Sequence, residues 1–298
     1  MWPKVLLAVL FSCAMLSVAS AKNLFVNNVT GDDKRDGSTA MTSGRQGGPY
    51  RTIRRALLGA RNGDRIALAD TGEPYRESVT LQASRHSGVV GHPFELVGNG
   101  AVLDGSQPVP KDAWEFASGE VFRFQPPRMR YQVLYLDGKP AKRKRVDAGE
   151  PRPELQPLEW CLHDRYVYFR IEKDKLPRQY DLSYTALPVG ITIYEARHVI
   201  VRGLVIQGFQ LDGVNAHDGV FYGRLEGLTC RGNGRSGISI GGASRVKIID
   251  CLIGDNGVAQ LRTEGYSHTV IVNCDLLDNT APALVSESTA TVVTDAEE

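Results

Sequence analysis

An apolar pattern that repeats every 23 or 24 residues narrows the folds open to this chain more than any other feature. Starting from Ile191, one column recurs at Val214, Ile238, Leu261 and Leu284. A second runs through Val201, Leu225, Ile248 and Ile271, a third through Leu204, Leu228, Cys251 and Cys274, and a fourth through Ile206, Cys230, Ile253 and Leu276. A polar column, Asn233, Asn256 and Asn279, keeps the same spacing. Columns that hold register over several periods are the mark of a repeat architecture.

Each period contains three short apolar-x-apolar units, such as Ile238-Ser239-Ile240, Val246-Lys247-Ile248 and Cys251-Leu252-Ile253. Alternation of this kind is the strand period, and Gly, Asn and Asp separate the units as turn residues. The longer period and 3.6-residue stripe of a helical solenoid are absent. Three strands per turn of about 23 residues predict an all-β chain wound as a parallel β-helix, with equivalent residues stacked about 4.8 Å apart. The Asn column is expected at left-handed turn positions, its side-chain amides bonding from coil to coil.

Residues 22–110 fit the start of such a solenoid, with a strand at Leu24-Phe25-Val26 and an amphipathic helix from Tyr50 to Ala60. The helix carries Ile53, Ala56, Leu57 and Ala60 on one face. The first coil of a solenoid exposes its core and its strand edge, so this helix is expected to cap it. Residues 111–188, rich in Pro, charge and aromatic side chains (Trp114, Tyr131, Tyr135, Trp160, Tyr166, Tyr168, Tyr180), are predicted as a β-rich insertion that walls one side of a cleft. The repeat proper spans 189–284. Residues 285–298, with Glu287, Asp295, Glu297 and Glu298 and no basic residue, are expected to be an acidic tail. The repeat is still running at Leu284 without an evident cap, which points to missing coils or to an end covered by the tail or a second subunit.

Residues 1–21 have the form of a secretory leader: Lys4, an apolar run from Val5 to Val18, and Ala19-Ser20-Ala21 as the cleavage site. The run is too short for a membrane span. Cys13 lies within it, where a lipoprotein signal would place its cysteine later. Removing Lys4 leaves the chain, +1 as a whole, formally neutral, which argues against a dedicated nucleic-acid binder. Secretion permits disulfides. Cys251 and Cys274 share an inward column on adjacent coils, either bridged or packed as two thiols. No C-x-x-C pair supports a zinc ribbon or a dithiol redox site.

The opening of the chain resembles that of secreted right-handed parallel β-helix proteins of the pectate-lyase-like superfamily, nearest the chondroitinase B and alginate lyase group. The residues that carry it are Phe25-Val26, Gly48-Pro49-Tyr50-Arg51-Thr52-Ile53 with Ala56-Leu57, and Gly63-Asp64-Arg65-Ile66. It continues through Gly72-Glu73-Pro74-Tyr75-Arg76-Glu77, Ser87-Gly88, Gly91-His92-Pro93-Phe94 and Val102-Leu103-Asp104-Gly105. With the repeats it covers about two thirds of the chain. It implies an extracellular or periplasmic protein acting on an acidic polysaccharide, most directly as a lyase. Glycoside hydrolysis and carbohydrate binding without catalysis occur on the same scaffold. The lyase group's catalytic Lys and Arg have no residue-by-residue match here.

On a β-helix the chemistry sits on outward side chains. The strands beginning at Ile191 and its repeats present Thr192, Asn215, Ser239 and Arg262 in one outward column and Tyr194, His217, Gly241 and Glu264 in the next. The other two strands expose more apolar residues, so this strip is the expected substrate face. A uronate lyase needs a cationic side chain or Ca²⁺ at the carboxylate and a base for the C5 proton. Arg262, Glu264 and His217 supply a clamp, an orienting or metal-binding carboxylate and a base, with Asn215 and Ser239 as binding residues. The alternative is an ordinary solvated surface. Asp212-Gly213-Val214 resembles part of a polygalacturonase motif, but no second carboxyl follows at the spacing of about 6.5–9.5 Å that inverting hydrolysis needs. An Asp-Gly turn is expected there. Lys142, Arg143, Lys144 and Arg145 form a basic cluster that either grips an anionic sugar chain or is a solvated loop.

Overall fold

The computed structural model describes residues 21–128, 131–147 and 149–295. The leader thus lies, but for Ala21, outside the described residues, as do Glu297 and Glu298. Three parallel sheets of eight, six and five strands form the walls of a right-handed parallel β-helix. Each coil passes from the six-stranded sheet to the eight-stranded and then to the five-stranded sheet, as in Ile191–Tyr194, Val199–Arg202 and Val205–Gln207.

The columns read from the sequence are the strand registers. Ile191 pairs with Val214, Val214 with Ile238, Ile238 with Leu261 and Leu261 with Leu284. Val201, Leu225, Ile248 and Ile271 align in the eight-stranded sheet, and Ile206, Cys230, Ile253 and Leu276 in the five-stranded one. Apart from the half-buried Leu276 and the outermost coil's exposed Leu284, these side chains are buried and form one continuous core along the axis. Its burial is the main stabilising term.

The Asn column is present, with one difference. At the two buried members of the column the left-handed residue is the one before the Asn, Gly232 (φ 63°) and Asp255 (φ 58°), whereas Asn233 and Asn256 themselves are not left-handed and Asn279 is exposed. This leaves the amides pointing inward. Asn256 Oδ1 accepts from the Asn233 backbone N–H (2.9 Å) and from Asn233 Nδ2 (3.1 Å). Asn256 Nδ2 donates to Cys230 O, Gly254 O and Gln260 Oε1, and Gln260 carries the chain of bonds on to Asn279 Oδ1 (3.3 Å). Asn256→Leu leaves several of these buried groups without partners, so a loss of about 3 kcal/mol is expected, read as a lower urea midpoint at unchanged slope.

Cys251 and Cys274 are free thiols. Each sulfur accepts a backbone N–H from the preceding coil, Leu228 N–H to Cys251 Sγ and Cys251 N–H to Cys274 Sγ, both at 3.4 Å. Their mutual hydrogen bonding raises the Cys251 thiol's pKa and lowers that of Cys274.

The helix is shorter than its pattern, Ile53–Gly59. Tyr50 is held in an extended bridge, its N–H donating to Phe25 O and its carbonyl accepting from Asn27 N–H. Thr52 is the N-cap, accepting from Arg55 N–H, and the Glu77 carboxylate accepts the next two free donors, Ile53 N–H and Arg54 N–H. Ile53, Ala56 and Leu57 pack over the first coil.

Residues 106–185 leave the helix between two coils that remain in register, Ile191 pairing directly with Val79. The excursion therefore starts a few residues earlier than the Pro-rich composition suggests. It consists of two four-stranded antiparallel sheets around a core of its own, with Phe124, Leu134, Trp160, Val167, Phe169 and Leu182. Tyr135 O–H donates to Gly232 O, and Arg145 donates to Gly257 O (2.7 Å) and Thr280 O (2.6 Å), so the insertion is fastened along the coil turns.

The expected acidic tail is instead a further coil. Leu284–Ser286 and Thr291–Asp295 pair in parallel with Ala259–Thr263 and His268–Val272. The polar residues of this stretch suggested a tail, but backbone pairing to the previous coil holds it in place whatever its outward side chains are.

Candidate functional site

The outer face of the six-stranded sheet carries the expected strip. In register across it lie Thr80, Thr192, Asn215, Ser239 and Arg262, and beside them Gln82, Tyr194 and His217. Gly241 and Glu264 directly follow the strands Ser236–Ile240 and Ala259–Thr263. An ideal Cβ on Gly241 would lie 3.8 Å from Glu264 Oε2 and 3.8 Å from His217 Cβ. The glycine therefore leaves an open floor between the Glu264 carboxylate and the base of the His217 side chain.

Both walls of this notch are held from behind. His217 Nδ1 lies 3.0 Å from Asp218 Oδ2, which favours a tautomer with the proton on Nδ1 and Nε2 free as an acceptor. The Tyr194 ring packs edge-on against the imidazole at 5.2 Å between centroids. The Glu195 carboxylate, with Asp218 behind it, raises the Tyr194 phenol above its ordinary pKa, so its hydroxyl stays protonated. On the opposite wall Glu264 is ion-paired with Arg262. The Arg262 Nε is buried with no hydrogen-bond partner among the described residues, which leave that guanidinium incompletely satisfied.

The structure thus brings Arg262, Glu264 and His217 together. Ser239 is also in the strip but is 2% exposed, covered between the longer side chains of its neighbouring strands, and does not present its hydroxyl. Asn215 is half-buried, its Nδ2 donating to Asp212 Oδ2 (2.9 Å). It serves the protein first.

Asp212 is the main correction to the sequence reading. It lies in the strand Asp212–His217 and not in a turn, and its side chain is fully buried. Arg235 donates to it through Nε (2.9 Å) and Nη2 (2.5 Å), Ser236 through Oγ (2.5 Å), and Asn215 through Nδ2. Asp212 in turn raises the pKa of the Arg235 guanidinium through these bonds. Asp212 and Arg235 are one period apart, so the pairing of opposite charges on adjacent coils was a signal the sequence contained. Asp218 and the open floor at Gly241 were missed as well.

Lys142, Arg143, Lys144 and Arg145 do not border the notch. They belong to the insertion, and Lys142, Arg143 and Arg145 line a cleft of about 350 Å³ between it and the coil turns at Asp255–Gly257 and Asn279–Thr280. Each already has a protein partner. Lys142 pairs with Glu159 (2.9 Å), Arg143 lies over the Trp160 ring, Lys144 donates to Glu154 O, and Arg145 bridges two turn carbonyls. Arg145 fastens the insertion to the coil turns, and the other three cations are held within the insertion. Among the described residues no group of three or more His, Cys, Asp or Glu side chains is placed to hold a metal ion.

Residues 186–296 match the family described as the right handed beta helix region. Among solved structures the chain is similar to a glycoside hydrolase at 13% identity and a TM-score of 0.56, over 85% of this chain and 73% of that one. It is also similar to the pectate lyase Pel9A at 13% identity and a TM-score of 0.45, over 87% of this chain and 54% of that one. No curated protein matches the sequence. At these identities the likeness is one of fold, and the first structure carries it. The class defined is that of right-handed parallel β-helix proteins.

Proposed function

We propose that this is a secreted, carbohydrate-active protein that cleaves a uronate-containing polysaccharide by β-elimination at the His217–Gly241–Glu264 notch. The observation that carries the reading is an Asp-oriented histidine and an Arg-bound carboxylate placed on either side of the open floor at Gly241. The leader-like N-terminus supports secretion. A glycoside hydrolase sharing this fold supports a sugar chain as the ligand.

In this reading Arg262 faces the uronate carboxylate and stabilises the charge that develops as the C5 proton leaves. His217 Nε2 takes that proton, with Asp218 stabilising the imidazolium formed. The C4–O bond breaks, the C4=C5 double bond forms, and the departing oxygen takes a proton from the Tyr194 hydroxyl. Hydrolysis is less well served. It needs one carboxyl as proton donor, whereas Glu264 and Asp218 are each engaged by a basic partner.

The test is an ultraviolet absorbance assay on residues 22–298 with alginate, chondroitin and dermatan sulfates, and pectate, each with Ca²⁺ and with chelator. Growth of unsaturated-uronate absorbance is expected. New reducing ends without absorbance would replace elimination by hydrolysis. Neither signal, from folded protein, would leave the chain a binding protein.

A further inference from the structure

The strip continues past the notch to a feature that the chemistry above does not use. At the first strand of the six-stranded sheet, Val79–Gln82, the cap helix stands against the outer face. Between them lies a groove of about 560 Å³ lined by Arg54, Leu57, Leu58, Ser78, Thr80, Gln82, Arg85 and His86. Gln82 is in register with Tyr194, and Tyr194 with His217. The groove thus lies two strand spacings, about 10 Å, from the proposed base. That is the length of a short run of pyranose units.

The lining has the chemistry of an acidic-sugar subsite. Arg54 and Arg85 are both exposed, and among the described residues neither is ion-paired. Arg85 donates only to Leu58 O at 3.0 Å, which ties the turn after Gln82 to the helix and leaves the rest of its donor fork open. Ser78, Thr80 and Gln82 provide exposed hydroxyl and amide groups. Leu58, 58% exposed, offers an apolar surface for a sugar face. Beneath them His86 is locked between Gln82 N–H and Leu57 O, and burial lowers its pKa, so the floor is neutral and fixed. An isolated loop arginine would suggest little. Two unpaired guanidiniums, a preformed groove and strand register with the notch are independent features that agree.

We infer that this groove is a distal subsite for an anionic sugar residue, carboxylate or sulfate bearing, of the same chain that enters the notch. The cap helix walls the strip there, so the subsite anchors one end of the bound segment. This inference rests on the proposed function.

The experiment is calorimetric titration of size-defined hexasaccharides of alginate, chondroitin sulfate and galacturonate, with a neutral xylan hexasaccharide as control. The protein is residues 22–298 carrying His217→Ala, to prevent turnover. Arg54→Ala with Arg85→Ala is expected to weaken the acidic hexasaccharide by roughly tenfold or more while leaving the neutral one unchanged, the effect shrinking as salt rises. Leu58→Asp, which keeps both arginines, is expected to weaken it as well. Acidic hexasaccharide bound equally well by the Arg54/Arg85 variant would overturn the subsite and leave the notch reading intact. Failure of every acidic hexasaccharide to bind the parent protein would overturn both.

Discussion

Asp212→Ala is expected to destabilise the protein by about 3–5 kcal/mol, because it leaves the Arg235 guanidinium, 19% exposed, without its counter-charge. The Ser236 hydroxyl and the Asn215 amide lose an acceptor at the same step. The measurement is the urea midpoint at constant slope. The size of the effect comes from removing one partner only. Replacing both members with apolar residues of similar volume is often neutral, since the desolvation cost disappears with the attraction. Asp212→Leu combined with Arg235→Met should therefore recover most of the lost stability. If the single substitution costs less than 1 kcal/mol, the pair is not the buried anchor described here.

The second large effect is on turnover. His217→Ala should lower kcat by about 10²–10⁴-fold, the usual contribution of a general base, with an unchanged unfolding midpoint because the side chain lies on the outer face. Asp218→Asn should have a smaller effect in the same direction, since the imidazole keeps a partner at Nδ1 but loses the negative charge behind it during proton transfer. Gly241→Leu provides an independent check. Gly241 is not left-handed, so the substitution brings no backbone strain, yet its side chain would fill the space between His217 and Glu264. Raised KM in that variant with normal stability would support the notch as the place where substrate sits. Full activity in either the His217 or the Gly241 variant would remove the notch from the mechanism.

The two predictions rest on features that differed in how readable they were. His217, Arg262 and Glu264 could be placed on one face from the sequence, because strand alternation and a constant coil period are local, repeating properties. The gap at Gly241 follows from the same register, although only the packed structure gives it the width that makes it a notch. Asp212 was misread because Asp-Gly is a common turn pair, and a residue's local preference gives way when four donors converge on its carboxylate.

The cluster Lys142–Arg145 illustrates the other limit. A run of cations has the same appearance in sequence whether it waits for a ligand or is already paired. Arg145 finds its acceptors 112 and 135 residues away, at Gly257 and Thr280, and no pattern within its own segment announces them. Ser239 is likewise outward by alternation and hidden by its neighbours. The stretch after Leu284 reads as a tail because it is acidic and carries no basic residue, while its pairing is made by backbone groups that every residue carries.

The sequence by itself determined the coil, the three strands of each turn, the inward core columns and the face that bears the polar strip. All of these follow from periodicity, which is written along the chain. Only the stacked coils decided that four donors converge on a buried Asp212, that Arg145 reaches the coil turns at Gly257 and Thr280, and that Arg54 and Arg85 are left open beside the cap helix. Pairing depends on distance and burial between segments far apart in sequence, and those arise only once the coils have stacked and the insertion has closed over them.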